Sequence, residues 1–307
     1  MSALKVGSPE VTADQFVGQL LQAFGVIVGW VEAFPKSGLR GDLERFAFLL
    51  GEDGERLFGP APAMAARRAG QPGRDLVSAR KVIGVTPDER WLEATWPFIS
   101  TQIPPPPATI VDVGCGPCGG FVPALLQRGY HATGVDPTAP ESSSFQRLAI
   151  ERYEAAQPVD AVVASTSLHH VADLDVVLGK IATMLVPAGV VIVVEMAWER
   201  IDEATARWCF DRLPARSEPS WLSRRRDEWI ASGEPWGAYF AAWARREGFH
   251  RGDLILDGLD DRFERKSVDY GPYFFPDLGD TGALDEQVAI DAAEIQATSI
   301  RYVGRQK

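Results

Sequence analysis

Apolar positions along the chain change period twice. Up to about residue 103 they recur at helical spacing. Phe16, Leu20, Leu21, Phe24, Ile27 and Val28 make one such stripe, with Thr12 or Asp14 as its cap and Pro35 and Gly38 as its end. Leu43, Phe46, Leu49 and Leu50 place a second helix over Leu39 to Leu50, before the breakers Gly59, Pro60 and Pro62. A further helix is predicted from about Pro87 to Ile103, carrying Trp91, Leu92, Trp96, Phe98 and Ile99. Pro104 to Pro107 then form a stiff, extended entry to whatever follows.

From Ala108 short β-branched runs alternate with helical stretches. Strands are predicted at Thr109 to Val113, His131 to Val135, Leu148 to Arg152, Ala161 to Ala164 and Val190 to Val194. Helices are predicted at Gly120 to Arg128 and Asp173 to Leu185. The Val190 to Val194 run is apolar throughout, which suits a strand covered on both faces. Repeated β-α-β units imply a parallel sheet with right-handed crossovers, a doubly wound α/β fold. Beyond Glu195 the period is helical again, and residues 198 to 250 hold six of the nine tryptophans. Two late strands are expected near Arg262 to Val268 and Ser299 to Val303, with a helix over Asp285 to Gln296 between them. The expected organisation is an N-terminal helical extension over 1–85 and an α/β domain over 86–307, with a helical lid at about 198–250. Helices as short as those of the extension cannot bury their faces alone. They are expected to cap the domain, to join two copies of the chain as a homodimer, or both.

Charge and composition narrow the function. The chain has 307 residues and a net charge of −11. Its longest basic cluster, Arg224-Arg225-Arg226, is followed directly by Asp227 and Glu228, so no basic face for phosphates stands out and no nucleic-acid partner is expected. Three cysteines argue against a disulfide framework and suit a reducing cytoplasm. The apolar stretch from Phe16 to Phe34 contains Gln19, Gln22 and Glu32, so no membrane span is expected.

The candidate chemistry sits at Thr109-Ile-Val-Asp-Val-Gly-Cys-Gly-Pro-Cys-Gly-Gly120, read as strand, tight turn and helix start. Gly114 and Gly116 allow close approach of a ligand to the main chain, and the helix offers unpaired N–H groups. Asp136, ending the second strand, can accept ribose hydroxyls. Gly114, Gly116 and Gly119 also satisfy the dinucleotide pattern, which alone is a weak signal. Asp112 tips the balance: a carboxylate at the strand end suits an ammonium group and repels a pyrophosphate. Cys115-Gly-Pro-Cys118 could be redox-active or half a metal site. With no second cysteine pair, small residues in a tight turn are the better reading, and no metal is expected.

The blocks Val111-Asp-Val-Gly-Cys-Gly-Pro, Gly134-Val-Asp136, Asp160 to Val171 and Leu185-Val-Pro-Ala-Gly189, in this order, resemble the class I S-adenosylmethionine-dependent methyltransferases of the small-molecule "type 11" group. The resemblance covers about residues 90 to 200. It implies a Rossmann-like seven-stranded, mostly parallel sheet with an antiparallel last strand. It implies S-adenosyl-L-methionine as cofactor and S-adenosyl-L-homocysteine as product. Carried over, Asp112 and Gly114 would hold the methionine end and Asp136 the ribose, with Cys115, Gly116 and Pro137 also among the cofactor-binding residues. Glu151 or Glu154 would lie near the adenine, and Ser165 and Thr166 would face the sulfonium. Cys118 departs from the family, where glycine is usual, and suggests a shifted turn.

His169 and His170 follow the fourth strand at the edge where α/β folds bind ligands, and Glu195 ends the fifth strand there. A histidine could serve as general base with Glu195 assisting; equally, one of the pair could pack structurally. The tryptophan-rich stretch is expected to be mostly core, with one or two rings reaching the pocket; Tyr239, Tyr270, Tyr273, Phe274 and Phe275 are further candidates. The expected function is methyl transfer to O, N or C of a small hydrophobic or aromatic acceptor, in secondary metabolism. Non-methylating reuse of the fold, as a cyclase or eliminase, and a cofactor-binding partner subunit are the rival readings.

Overall fold

A computed structural model describes residues 86–215 and 220–307. The expected extension over 1–85 lies outside the described residues, together with its predicted helices.

The described chain opens with helix α1 (Pro87–Gln102), whose start is fixed by a capping box: Thr86 accepts from the Glu89 amide while the Glu89 carboxylate accepts from the Thr86 amide. The prolines 104–107 lead into β1 (Thr109–Val113). Then follow α2 (Val122–Gln127), β2 (His131–Val135), β3 (Phe145–Gln146) and β4 (Val159–Ser165). Next come α3 (Leu174–Met184), capped by Asp173, and β5 (Leu185–Met196). The helical stretch holds α4 (Glu203–Phe210), α5 (Trp221–Ser232), α6 (Trp236–Glu247) and α7 (Gly252–Arg262). β6 (Phe263–Gly271), α8 (Ala283–Asp291) and β7 (Ser299–Gln306) close the chain.

One seven-stranded sheet runs in the order β3-β2-β1-β4-β5-β7-β6. Its pairs are parallel except at β7, which lies antiparallel between β5 and β6. This is the doubly wound topology that the sequence pattern predicts, with the inserted antiparallel last strand that the family resemblance implies. The apolar run of β5 is explained by two-sided burial. Val191 and Val193 pack with Val177, Leu178 and Ile181 of α3 and Ile255 and Leu259 of α7. Val190 and Ile192 pack on the other face with Ile99 of α1 and Leu125 of α2. A separate cluster gathers Trp198, Trp208, Trp229, Trp236, Phe240 and Trp243 from the helical stretch, together with Phe274 and Leu278. Most of the tryptophans are therefore core, as expected.

The third strand differs from expectation. Leu148 to Arg152 is not a strand; β3 is Phe145–Gln146, and Ile150–Arg152 form a single 3-10 turn. The apolar Leu148 and Ile150 mimic a strand because both feed the core beneath α3, and they do so from turn geometry. The late strands run longer than predicted, and the helix between them ends at Asp291.

The register brings the carboxyl ends of the central strands together: Val113 lies beside Val135 and Ala164, and Ser165 beside Val194. Packing behind this edge is tight. A Cβ on Gly252, the first residue of α7, would come within 2.7 Å of Ile300 Cδ1 and 2.9 Å of Ala197 Cα. Gly252→Ala is expected to lower unfolding stability by about 1–3 kcal/mol through overpacking. Urea denaturation should show a lower midpoint at an unchanged slope; an unshifted midpoint would contradict this packing.

Candidate active site

The loop after β1 turns by placing Gly114, Gly116, Gly119 and Gly120 in the left-handed region. At Gly114 no other residue fits, because a Cβ there would lie 2.1 Å from Ser167 Cβ. Cys118 is not in that conformation, so the turn expected at this departure has moved onto Gly119 and Gly120. Asp112 is buried, and its Oδ2 accepts from the Phe121 amide at 2.7 Å, tying the strand to the loop's far end. Burial first, opposed by that hydrogen bond and reinforced by the charge of Asp136, pushes the Asp112 pKa up to about 7. Phe145 supports the loop from β3: a Cβ on Gly119 would lie 2.8 Å from its Cζ, and one on Gly134 2.7 Å from its Cδ1.

The opposite wall comes from both ends of the described chain. Arg90 of α1 donates to the carbonyls of Pro276, Leu278 and Thr281, clamping the segment before α8. Glu286 of α8, fully buried, accepts from the amides of Tyr273, Phe274 and Phe275 at 2.8, 3.1 and 2.7 Å. Trp91 donates its indole N–H to Ser165 Oγ at 2.9 Å, stacks on Phe275 and meets Tyr273 edge to face. Trp221 donates to Asp277 Oδ2 at 2.9 Å.

Between these walls lies a cavity of about 350 Å³. The predicted Asp112, Gly114, Cys115, Gly116, Ser165 and Thr166 all line it. So do Asp88, Trp91, Trp221, Tyr273, Pro276 and Asp277. Of this second set Tyr273 was a pocket candidate from sequence, and Trp221 belongs to the tryptophan-rich stretch from which one or two rings were expected to reach the pocket. Trp91 was legible as part of a helix face, not as a wall of the site. Thr166 adopts a left-handed backbone that a β-branched residue rarely takes, a constraint seen where loops are held for function.

Other predicted site residues stand apart. Asp136 is half-buried and its Oδ1 accepts from both the amide and hydroxyl of Thr138, at 2.6 Å each. Pro137 is exposed. Glu151 sits in the 3-10 turn after β3, and Glu154 pairs with Lys180 at 2.7 Å. None of these four lines the cavity.

Nor do His169, His170 and Glu195. His169 and Glu195 are buried, and the His169 Nδ1–H donates to Glu195 Oε1 at 2.5 Å. Glu195 also accepts from the amides of Ser167, Leu168 and His169 through Oε2, and of Met196 through Oε1. Burial raises its pKa, but the charge and hydrogen bond of His169 and the Met196 and Leu168 amides outweigh it, so the net shift is downward. His170 is exposed, its ring against His169 and Phe249.

Of the paired thiols, Cys115 is buried with its pKa pushed up to about 12, chiefly by burial and then by Asp112 and Asp136. Cys118 is exposed, its pKa likewise raised, and its thiol lies 3.5 Å from Asp88 Oδ2. Neither is the low-pKa thiolate that redox chemistry uses. No cluster of three or more metal-ligating side chains occurs among the described residues, and no described helix is long and apolar enough to cross a membrane.

A family model described as "Methyltransferase domain" matches residues 86–231. The "Ubiquinone biosynthesis O-methyltransferase" of Xylella fastidiosa (strain 9a5c) is 30% identical over 174 residues, covering 51% of this chain and 67% of that one. The chain belongs to the class I S-adenosylmethionine-dependent methyltransferases. Among solved structures, a methyltransferase from Mesorhizobium loti is similar at 18% identity and a TM-score of 0.43, covering 70% of this chain and 100% of that one. The N-methyltransferase NodS of Bradyrhizobium japonicum is similar at 14% identity and a TM-score of 0.41, covering 72% and 88%. For this methyltransferase the cofactor is S-adenosylmethionine. The residues present fit it, since a buried carboxylate, Asp112, faces a cavity whose rim is glycine backbone.

The geometry separates the histidines from the cavity, which gives a stability prediction. Glu195→Ala strands four amides, three of them buried, and the His169 ring without their acceptor. It should lower unfolding stability by about 3–5 kcal/mol, whereas His170→Ala, exposed, should shift it by less than about 0.5 kcal/mol. Denaturant titration of both variants checks this; comparable losses would contradict it.

Proposed function

We propose that the cavity between the glycine loop and the Tyr273–Asp277 wall binds the methionine end of S-adenosylmethionine and presents its methyl group to a small hydrophobic or aromatic acceptor, methylated at O, N or C. The carrying observation is Asp112: a carboxylate that is buried, raised in pKa by that burial, and lined up on a cavity with glycine backbone on either side of it. Such a group is costly in the free protein and becomes favourable when a cation meets it.

In this reading Asp112 takes the ammonium, and the amides of the left-handed loop approach the carboxylate. Asp136, with Oδ1 already committed to Thr138, offers its second oxygen to the ribose, and Glu151 lies towards the adenine. Ser165 and Thr166 stand at the end of β4, where the reacting centre would sit. The bound cofactor supplies an already activated methyl group on a sulfonium. What remains for the chain is to align the acceptor and keep water out, and orientation alone supplies much of the rate. Trp91, Trp221 and Tyr273 give apolar surface for both tasks. We assign no general base, since His169, His170 and Glu195 do not line the cavity; Glu195 instead holds the Ser167–His169 backbone that carries Thr166. The helices α4 to α6 act as the lid, with Trp221 as the ring that reaches through to the site.

The Asp112 pKa fixes a pH dependence. The ammonium binds the carboxylate form, and that form is depleted below about pH 7 in the free protein. Affinity for S-adenosylhomocysteine should therefore fall as pH drops below 7, approaching tenfold per unit, and level off above it. Asp112→Asn should bind at least tenfold more weakly at pH 8 and lose this pH dependence. Calorimetric titration between pH 5.5 and 8.5 measures both; a flat wild-type profile, or an unimpaired variant, would count against the assignment.

A further inference from the structure

We propose that Thr166 and Tyr273 are specificity-determining residues for the acceptor, and that their hydroxyls hold a neutral oxygen, a carbonyl or hydroxyl group, on that acceptor. This rests on reading the cavity as the methyl-transfer site, and three observations carry it further.

First, most polar side chains that line the cavity are already engaged. Ser165 Oγ accepts from the Trp91 indole, Asp277 from the Trp221 indole and Asp112 from the Phe121 amide, and the Cys118 thiol lies 3.5 Å from Asp88 Oδ2. Thr166 Oγ1 and Tyr273 Oη have no hydrogen-bond partner among the described residues, yet neither is sealed from solvent. Thr166 stands between two serines whose hydroxyls are committed, Ser165 to Trp91 and Ser167 to the Val113 carbonyl at 2.9 Å. A few open polar groups on an otherwise apolar surface are what fix a small molecule's orientation.

Second, both hydroxyls are held in place without a ligand. The Tyr273 amide donates to Glu286 at 2.8 Å, and its ring meets Trp91 and Phe274 edge to face, each at 5.4 Å. Thr166 is kept in its left-handed backbone from both sides: its own amide donates to the Val194 carbonyl at 2.8 Å, and the Ser167 amide to Glu195 at 3.0 Å. Groups ordered in advance lose little entropy when a ligand meets them.

Third, the pair suits an oxygen without charge. Burial first, and then the charges of Glu195 and Asp277, hold the Tyr273 pKa far above its ordinary value, so the phenol keeps its proton and donates. The Thr166 hydroxyl donates or accepts. No lysine, arginine or histidine lines the cavity among the described residues, so an anionic group finds no cationic side chain there. Glu195, whose charge reaches the Tyr273 phenol, also accepts from the amide next to Thr166, so both hydroxyls belong to one end of the cavity.

The test uses the full chain saturated with S-adenosylhomocysteine and two probes of one shape, acetophenone and α-methylstyrene, which differ in a carbonyl oxygen for a methylene. Ligand-observed NMR titration measures the affinity of each, and the ketone-to-hydrocarbon ratio removes effects of shape and packing. One net hydrogen bond corresponds to about a three- to tenfold change in affinity. The ratio should fall by about that factor in Tyr273→Phe and likewise in Thr166→Val, and Thr166→Ser should keep it. A merely structural role for either residue would weaken both probes alike and leave the ratio unmoved. The inference is overturned if Tyr273→Phe or Thr166→Val leaves the ratio at its wild-type value, if Thr166→Ser loses it as Thr166→Val does, or if the ketone does not bind the wild-type complex. Failure of the wild type to bind S-adenosylhomocysteine at all would instead overturn the donor-site reading, and the inference with it.

Discussion

Loops at the carboxyl edge of a parallel sheet have backbone N–H groups that neither helix nor sheet can satisfy, and in this protein three buried carboxylates satisfy them. Asp112 takes the Phe121 amide, Glu195 those of Ser167, Leu168, His169 and Met196, and Glu286 those of Tyr273, Phe274 and Phe275. Each anchors a different wall of the same cavity. A buried carboxylate is costly, and these amides, together with His169 in one case, are what make the arrangement tolerable. The three differ in how fully they are compensated. Glu195 has four amides and a histidine and its pKa is lowered. Glu286 has three amides, and burial still wins, so its pKa is raised. Asp112 has one amide and stands at about 7. The least compensated carboxylate is the one that opens onto the cavity, where a cationic ligand group would complete it.

Much of the fold was legible because its signals are local. The β-branched run before Gly114, the continuous apolar run of β5, the helix from Asp173 to Leu185 and the two late strands each reveal themselves within a dozen residues. The glycine loop was legible for the same reason, since left-handed turns at Gly114 and Gly116 favour glycine, and at Gly114 a Cβ would also clash with Ser167. β3 was not, because a two-residue edge strand has no periodicity to read and Leu148 and Ile150 bury themselves from a turn. Phe145, which supports the glycine loop, was lost with it.

The second wall of the site was beyond sequence reading for a different reason. Arg90 meets Pro276 and Leu278 across more than 180 residues of chain, and Glu286 is an ordinary helical glutamate until its depth is known. Nothing in the spacing of Trp91, Trp221 and Tyr273 links them. The histidine pair shows the converse. His169 and His170 sit where catalytic groups are expected, but Glu195 draws the first ring into the core and neither lines the cavity.

The account stands or falls on where the cofactor's product binds, and amide hydrogen exchange with and without S-adenosylhomocysteine reads this directly. Protection is expected in the loop from Gly114 to Phe121, at Ser165 to Leu168 and in the Tyr273 to Asp277 segment. The groove on α4 and α5 lined by Arg207, Trp229 and Ile230 should be unchanged. Protection confined to that groove, or exchange unaltered at the glycine loop under saturating ligand, would contradict the assignment of the site.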